Sequence, residues 1–431
     1  MDAAVSTSTN RVTSALEEGL RAIVTPKFVR QASAADAVAG VLPQIVVEPA
    51  TEQELAKVLK LADEAGLAVI PRGGGTKVDW GNPPGRADLI LSTVRLNRIL
   101  EHAWADLTVT VETGCTIGKL QGTLAKHGQR LALDALWPEH ATVGGMLSTN
   151  DSGALRLRFG SLRDLIIGVT LALPDGTLAS SGGKVVKNVA GYDLPKLATG
   201  ALGTLGVITR AVFRVHPLPK ETCTLTCICD DAAEAQRLVL AVQDSKLAHS
   251  ALQIRCGGNA QPQVDVLLEA TQAGLAAQTK QLKSPPANKN FADSTSDVWS
   301  TRQVLYSAAK RDGANCAIAK FSTLPAQLAN TIEALATLCA DGVRWSAVVQ
   351  ATGIGCVYLE GEAPAIESVL LSFRAKLADM GGSLVVHHPP AAVCRMEAWG
   401  DAGDALPLMR AVKQQLDPKN TLNPGRFVGG I

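Results

Sequence analysis

The chain carries almost no net charge. Its 41 Lys and Arg residues against 40 Asp and Glu leave a formal +1 over 431 residues. That balance removes the electrostatic case for a nucleic-acid partner or an anionic membrane surface. Long apolar runs are missing too. Uncharged stretches such as 345–359 are too short and too glycine-interrupted to span a bilayer. The opening Met1-Asp2-Ala3 lacks the basic and then apolar segments of a secretory signal. Cysteines number nine, an odd and scattered set, which argues against a disulfide framework and for a reducing, cytoplasmic setting. Cys223, Cys227 and Cys229 cluster, but they lack a Cys-x-x-Cys spacing and fall short of the four thiolates an iron–sulfur cluster takes. Their odd numbering puts them on one face of a strand, so core packing is expected and no metal site.

What is present is a core-forming composition, 46% hydrophobic and 19% charged, at a length for two or three domains. Thr51-Glu52-Gln53-Glu54 reads as a capping box, followed by Leu55, Val58, Leu59 and Ala62 at helical spacing and a stop at Gly66. Leu107 to Glu112 alternates as a half-buried strand, and Thr116 caps a short helix over 117–126. Strands over 166–173 and 177–180 flank the turn Pro174-Asp175-Gly176. A strand over 206–215 leads to the linker His216-Pro217-Leu218-Pro219. Residues 221–395 then mix strands and helices, with a polar loop over 284–297, and predict an α+β domain with an antiparallel sheet. The first 25 residues read as a polar lead-in.

Four glycine-rich segments carry the chemistry. The first, Pro71-Arg72-Gly73-Gly74-Gly75-Thr76, directly follows the apolar run 67–70, so a buried strand ends in a turn whose N–H groups suit a phosphate. The second runs from Pro138 through Ala141, Thr142, Val143, Gly144, Gly145, Ser148, Asn150 and Gly153, a run of small residues against which a flat ring system can pack. The third is Gly182 to Leu194, with Lys187, Asn188 and Tyr192 as its polar groups, and the fourth is Gly200 to Thr209. None contains Gly-x-Gly-x-x-Gly or a Gly-Lys-Ser/Thr phosphate loop, which argues against a nicotinamide or nucleotide-triphosphate domain.

In this order the four segments resemble the FAD-binding domain of the vanillyl-alcohol oxidase / p-cresol methylhydroxylase (PCMH-type) flavoproteins over roughly residues 40–217. The tail Asp417-Pro418…Asn423-Pro424-Gly425-Arg426 resembles that superfamily's return segment. Val186 to Leu194 is most similar to the glycolate oxidase and D-lactate dehydrogenase subgroup. Two departures matter: Ala201-Leu202-Gly203 stands where catalytic subunits carry Ser-Glu-Gly, and their His-x-Gly-Asp-Gly-Asn-x-His motif is absent. Both departures resemble the FAD-binding subunits of glycolate oxidase.

The resemblance implies an α+β chain: a lead-in over 1–25, a two-subdomain PCMH-type domain over 26–217, a smaller cap over 218–395, and a returning segment over 396–431. It implies FAD held by Pro71 to Thr76, by Pro138, Ala141 to Gly145, Ser148, Asn150 and Gly153, by Gly206, Val207 and Ile208, and by Asn423. Phosphate neutralisation would fall to backbone N–H groups. Relatives with covalent flavin often place a histidine after the first glycines; Thr76 stands here, so FAD is expected to be non-covalent. Lys320, His388 and Tyr192 are the catalytic candidates, with Arg426 as a further cation. Each of the three catalytic candidates also has a structural reading, as a solvent-facing strand lysine, a strand-end histidine or a hydrogen-bonding turn residue. The implied partners are a paralogous FAD catalytic subunit, an iron–sulfur subunit and a small 2-hydroxy acid. Any attachment to the inner membrane would run through those subunits.

Overall fold

The computed structural model describes residues 11–184, 191–283, 291–294, 297–312, 315–340, 342–393 and 396–431. Two compact units emerge. The first comprises residues up to Ser152, then Ser161–Pro217 and Asp401–Ile431; the second comprises Gly153–Gly160 and Leu218–Gly400.

The first unit contains two main sheets. Ile45–Val47, Leu89–Ser92 and Val69–Arg72 run parallel, with Val29–Gln31 antiparallel at one edge. The first two strands are almost wholly apolar because parallel strands are covered on both faces. Helix Glu52–Glu64 covers one of those faces. Thr51 Oγ1 accepts from the Glu54 N–H at 3.1 Å, and the Glu54 carboxylate turns back onto the Ala50 N–H at 2.7 Å. The expected lead-in is not merely polar. Ser14–Ile23 is a helix capped by Thr13, and Leu20 and Val24 are buried with Leu55 and Leu59. Its Ser, Ala and Glu composition hides an amphipathic repeat.

The second sheet is antiparallel, in the order Ile99–Ala103, Thr108–Glu112, Val207–Arg214, Ile166–Ala172, Leu178–Gly182. Thr108–Glu112 is buried on both faces, not on one as the alternation predicts. Its odd-numbered residues enter the core and Glu112 is held by Arg98 at 2.7 Å. Glu52 joins the two sheets: its carboxylate accepts from Thr209 Oγ1 at 2.7 Å and from Arg210 at 2.6 Å.

The chain's end completes this unit. The Val69 N–H donates to Thr421 O at 2.8 Å and the Asn423 N–H donates to Val69 O at 2.9 Å, so residues 421–423 seal the free edge of Val69–Arg72. Pro71 has no N–H to extend this pairing, and the chain leaves the sheet into its glycines.

The second unit is one eight-stranded antiparallel sheet. Helices Ala232–Gln243, Leu328–Leu338 and Ala363–Asp379 share its apolar core, with Phe321 and Phe373 edge to face at 5.5 Å. Cys227 and Cys229 are buried in that core and Cys223 packs against it, as thiols. Within the expected polar loop 284–297, Phe291 is buried in the core and Ala292–Asp293 pairs with Glu221–Ile228; residues 284–290 and 295–296 lie outside the described residues. Among the described residues no helix is long and apolar enough to cross a membrane, and no group of three or more His, Cys, Asp or Glu is placed to hold a metal.

Candidate cofactor site

The glycine turn ends its strand against the second small-residue segment. A Cβ on Gly73 would stand 2.0 Å from Thr142 Oγ1, and one on Gly74 would stand 1.8 Å from His140 O. Neither distance is tolerable, so only glycine allows this approach. Gly75 turns at φ +72°.

Thr142 caps the short helix Val143–Thr149. That segment is tied to the end of Thr108–Glu112: the Val143 N–H donates to Cys115 O at 2.9 Å and the Gly144 N–H to Thr113 O at 2.8 Å. The fourth glycine segment closes the other side. The Gly200 and Leu202 N–H groups donate to Leu147 O and Ser148 O, each at 2.8 Å. Leu202 and Gly203 are both left-handed, at φ +50° and +69°. Asn423 Nδ2 donates to Leu202 O, and buried Lys413 donates to Thr204 O at 2.8 Å, to Leu422 O at 2.9 Å and to Asp417 Oδ2 at 2.5 Å. Burial pulls the Lys413 pKa down while Asp417 opposes the shift.

Between these walls lies a cleft with about 720 Å³ of empty space, part of it open to solvent. Of the sequence-predicted residues, Pro71, Arg72, Gly73, Gly74, Gly75, Thr76, Thr142, Gly144, Gly145, Ser148, Gly206, Val207, Ile208 and Asn423 line it. Pro138, Ala141, Val143 and Asn150 do not. Ala141 and Val143 are buried in the core beneath, Pro138 O accepts from the Gly118 N–H, and Asn150 ends the short helix at φ +44°. Gly153 belongs to the other unit. Tyr192 is 88% exposed and off the lining, and Lys187 and Asn188 fall outside the described residues. Lys320 and His388 are in the second unit on paired strands, where Ile318 faces His388 and Lys320 faces Val385. The neighbouring His387 is the buried member of the pair, with Nδ1 2.8 Å from the Tyr306 hydroxyl.

Of the cleft's cations, Arg72 and Arg426 were named from the sequence and Lys77 was not. The lining includes Arg72, Lys77 and Arg426 and no carboxylate. Lys77 is buried, with Nζ 3.3 Å from Asp151 and 3.1 Å from Met146 Sδ, and near the Trp80 and Trp137 rings. Arg426 is spent on the backbone: its guanidinium donates to Val78 O, to Trp80 O at 2.7 Å and to Asn82 O at 3.4 Å. Burial lowers its pKa to about 10, so it remains a cation that shapes the loop after the glycines. Lys77 had a sequence signal, since it follows the glycine turn directly. Its partner Asp151 lies 74 residues away and had none.

A cation-lined cleft walled by glycine and small hydroxyl residues fits a dinucleotide that brings a diphosphate and a flat ring. The fold agrees. The structure superposes on p-cresol methylhydroxylase with a TM-score of 0.77 at 15% identity, covering 98% of this chain and 97% of that one. It superposes on alkyldihydroxyacetonephosphate synthase with a TM-score of 0.75 at 17% identity, covering 94% and 84%. The FAD binding domain profile matches residues 43–182, and the FAD linked oxidase C-terminal domain profile matches residues 259–427. The chain therefore belongs to the FAD-linked oxidoreductases of the PCMH-type fold, and its cofactor is FAD. Among named relatives, the glycolate oxidase subunit GlcD of Bacillus subtilis is 25% identical over 90% of this chain and 89% of its own length. The D-lactate dehydrogenase of Archaeoglobus fulgidus is 33% identical over 46% of this chain and 44% of its own. The bovine mitochondrial D-2-hydroxyglutarate dehydrogenase is 33% identical over 44% and 35%.

Proposed function

We propose that this chain is the FAD-binding subunit of a glycolate-oxidase-like complex that oxidises small 2-hydroxy acids to 2-oxo acids. The observation that carries the reading is the near end-to-end match to a glycolate oxidase subunit, joined to a cleft built from the same glycine segments. Bound FAD supplies the acceptor for the hydride from the substrate's C2. Arg72 to Thr76 hold the diphosphate; Thr142, Gly144, Gly145 and Ser148 support the flavin ring; Gly206 to Ile208 lie along the adenine end. Lys320 serves as the point charge for the substrate carboxylate. His388 serves as the base that takes the substrate's hydroxyl proton, the role to which an imidazole is suited. Electrons would then pass to an iron–sulfur partner subunit.

A second reading makes this an electron-relay or assembly subunit beside a catalytic paralogue. Leu202 at the glutamate position and the absent histidine motif favour it. Anaerobic addition of glycolate or D-lactate to the FAD-loaded single chain separates the two. Bleaching of the flavin bands is the expected result. Persistent bands that bleach only after a partner subunit is added would assign the substrate chemistry to that partner.

A further inference from the structure

The three cations of the cleft are not equivalent. Lys77 has the buried carboxylate of Asp151 beside it, and Arg426 holds backbone carbonyls. Arg72, the last residue of its strand, pairs with Asp36 at 3.0 Å, but that carboxylate is already engaged. Arg30 donates to both of its oxygens, at 2.7 and 2.8 Å, while the Ser33 N–H and hydroxyl donate to Oδ2 at 2.9 and 3.0 Å. One buried carboxylate thus lies between two guanidinium groups, which leaves a surplus positive charge, and Arg72 is the member that lines the cleft. Asp36 belongs to none of the glycine segments. It sits in the turn Ala34–Asp36, beyond the edge strand Val29–Gln31. Arg30 and Ser33, the latter through both its N–H and its hydroxyl, hold its side chain in one place, and it presents one oxygen to Arg72.

We propose that Arg72 is the side chain that selects a dinucleotide flavin through its diphosphate, and that Asp36 is a positioning residue that holds Arg72 toward the cleft. The proposal rests on the FAD reading of the cleft and adds the source of its selectivity. A guanidinium fork matches phosphate oxygens in a way a lysine cannot, provided its orientation is fixed beforehand. Asp36 fixes it without cancelling it, because Arg30 balances the carboxylate.

The test is equilibrium binding of FAD, ADP and riboflavin to the apo chain, followed by calorimetry and flavin fluorescence. ADP carries the diphosphate without the ring, and riboflavin the ring without the diphosphate. Arg72→Met should weaken FAD and ADP by about tenfold or more and leave riboflavin unchanged. Arg72→Lys should recover part of the loss, and Arg72→Met should flatten the salt dependence of FAD binding. Asp36→Asn is the sharper variant because two accounts of it differ in sign. It makes the protein more positive, so simple attraction would tighten FAD, whereas a positioning role weakens FAD and ADP together. If Asp36→Asn does not fold, Arg30→Met is measured instead. It uncouples one side of Asp36, and a weakened grip on ADP but not riboflavin is expected. FAD affinity within about twofold of wild type for Arg72→Met, equal losses of FAD and riboflavin, or tighter FAD for Asp36→Asn would overturn the proposal. A wild-type chain that binds no FAD would instead remove the reading beneath it.

Discussion

The two units bury different things. Among the described residues the first unit buries nine charged side chains, Asp36, Asp63, Lys77, Asp88, Glu112, Asp151, Lys413, Asp417 and Arg426; the second buries two, Glu234 and Asp265. The second unit is a sheet with helices on an apolar face, held by area removed from water. The first invests in charges that cost stability unless each is paired. Most of these pairs are not for stability in any simple sense. They pin the walls of one cleft: Lys413 and Asp417 hold the loop after Gly203 and the returning segment, Asp63 holds Lys419 and Thr421, and Arg426 holds residues 78–82. One unit is built for packing, the other for keeping irregular backbone in place around a ligand.

That contrast can be broken by removing one strut from each side. Lys413→Met leaves the buried Asp417 carboxylate without its cation and should cost about 3–5 kcal/mol. The melting transition of the first unit should fall and FAD affinity with it, while the transition of the second unit holds. Phe373→Ala opens a cavity in the sheet–helix core and should cost about 3–5 kcal/mol in the opposite compartment. FAD affinity should then be unchanged, and a parallel fall in affinity would mean that the two units do not respond separately. Gly74→Ala sharpens the comparison at the cleft itself. Its Cβ would collide with His140 O, and a loss of about 1–3 kcal/mol is expected, read as weaker FAD with little change in the second unit's melt.

A smaller effect follows from pH. Hydrogen bonds from Arg30 hold the Asp36 carboxyl well below its ordinary range. A carboxylate with a depressed folded pKa contributes stability above its unfolded value, near 4, and loses it as pH falls toward the folded value. The stability difference between wild type and Asp36→Asn should therefore be flat from neutral pH to about pH 5 and shrink below about pH 4. A difference that is constant down to about pH 2.5 would contradict the Asp36 network.

Much of the cleft was legible because its chemistry demands rare local sequences. Three glycines after a buried strand, and a run of Thr, Gly and Ser before a short helix, have few structural uses, and fourteen of the sequence-chosen residues do line the cleft. Ala141 and Val143 lie in the core beneath the cleft instead of on its lining, Val143 on the inward side of the short helix and Ala141 just before its cap. The long-range pairs were illegible. Nothing near Arg72 announces Asp36, nothing near Lys77 announces Asp151, and Arg426 reads as a free cation until three backbone carbonyls are found around it. The helix Ser14–Ile23 was hidden by composition, and the second buried face of Thr108–Glu112 by an alternation that presumes solvent on one side.

FAD is expected in the cleft between the glycine turn, the short helix after Thr142 and the Leu202–Ile208 wall. Amide hydrogen exchange of the purified chain with and without FAD tests it most directly. Bound FAD should bring new protection at residues 71–78, 142–149, 202–208 and 423–426, with the helices of the eight-stranded unit unchanged. FAD-induced protection confined to residues 218–400, or none at the glycine turn, would contradict it.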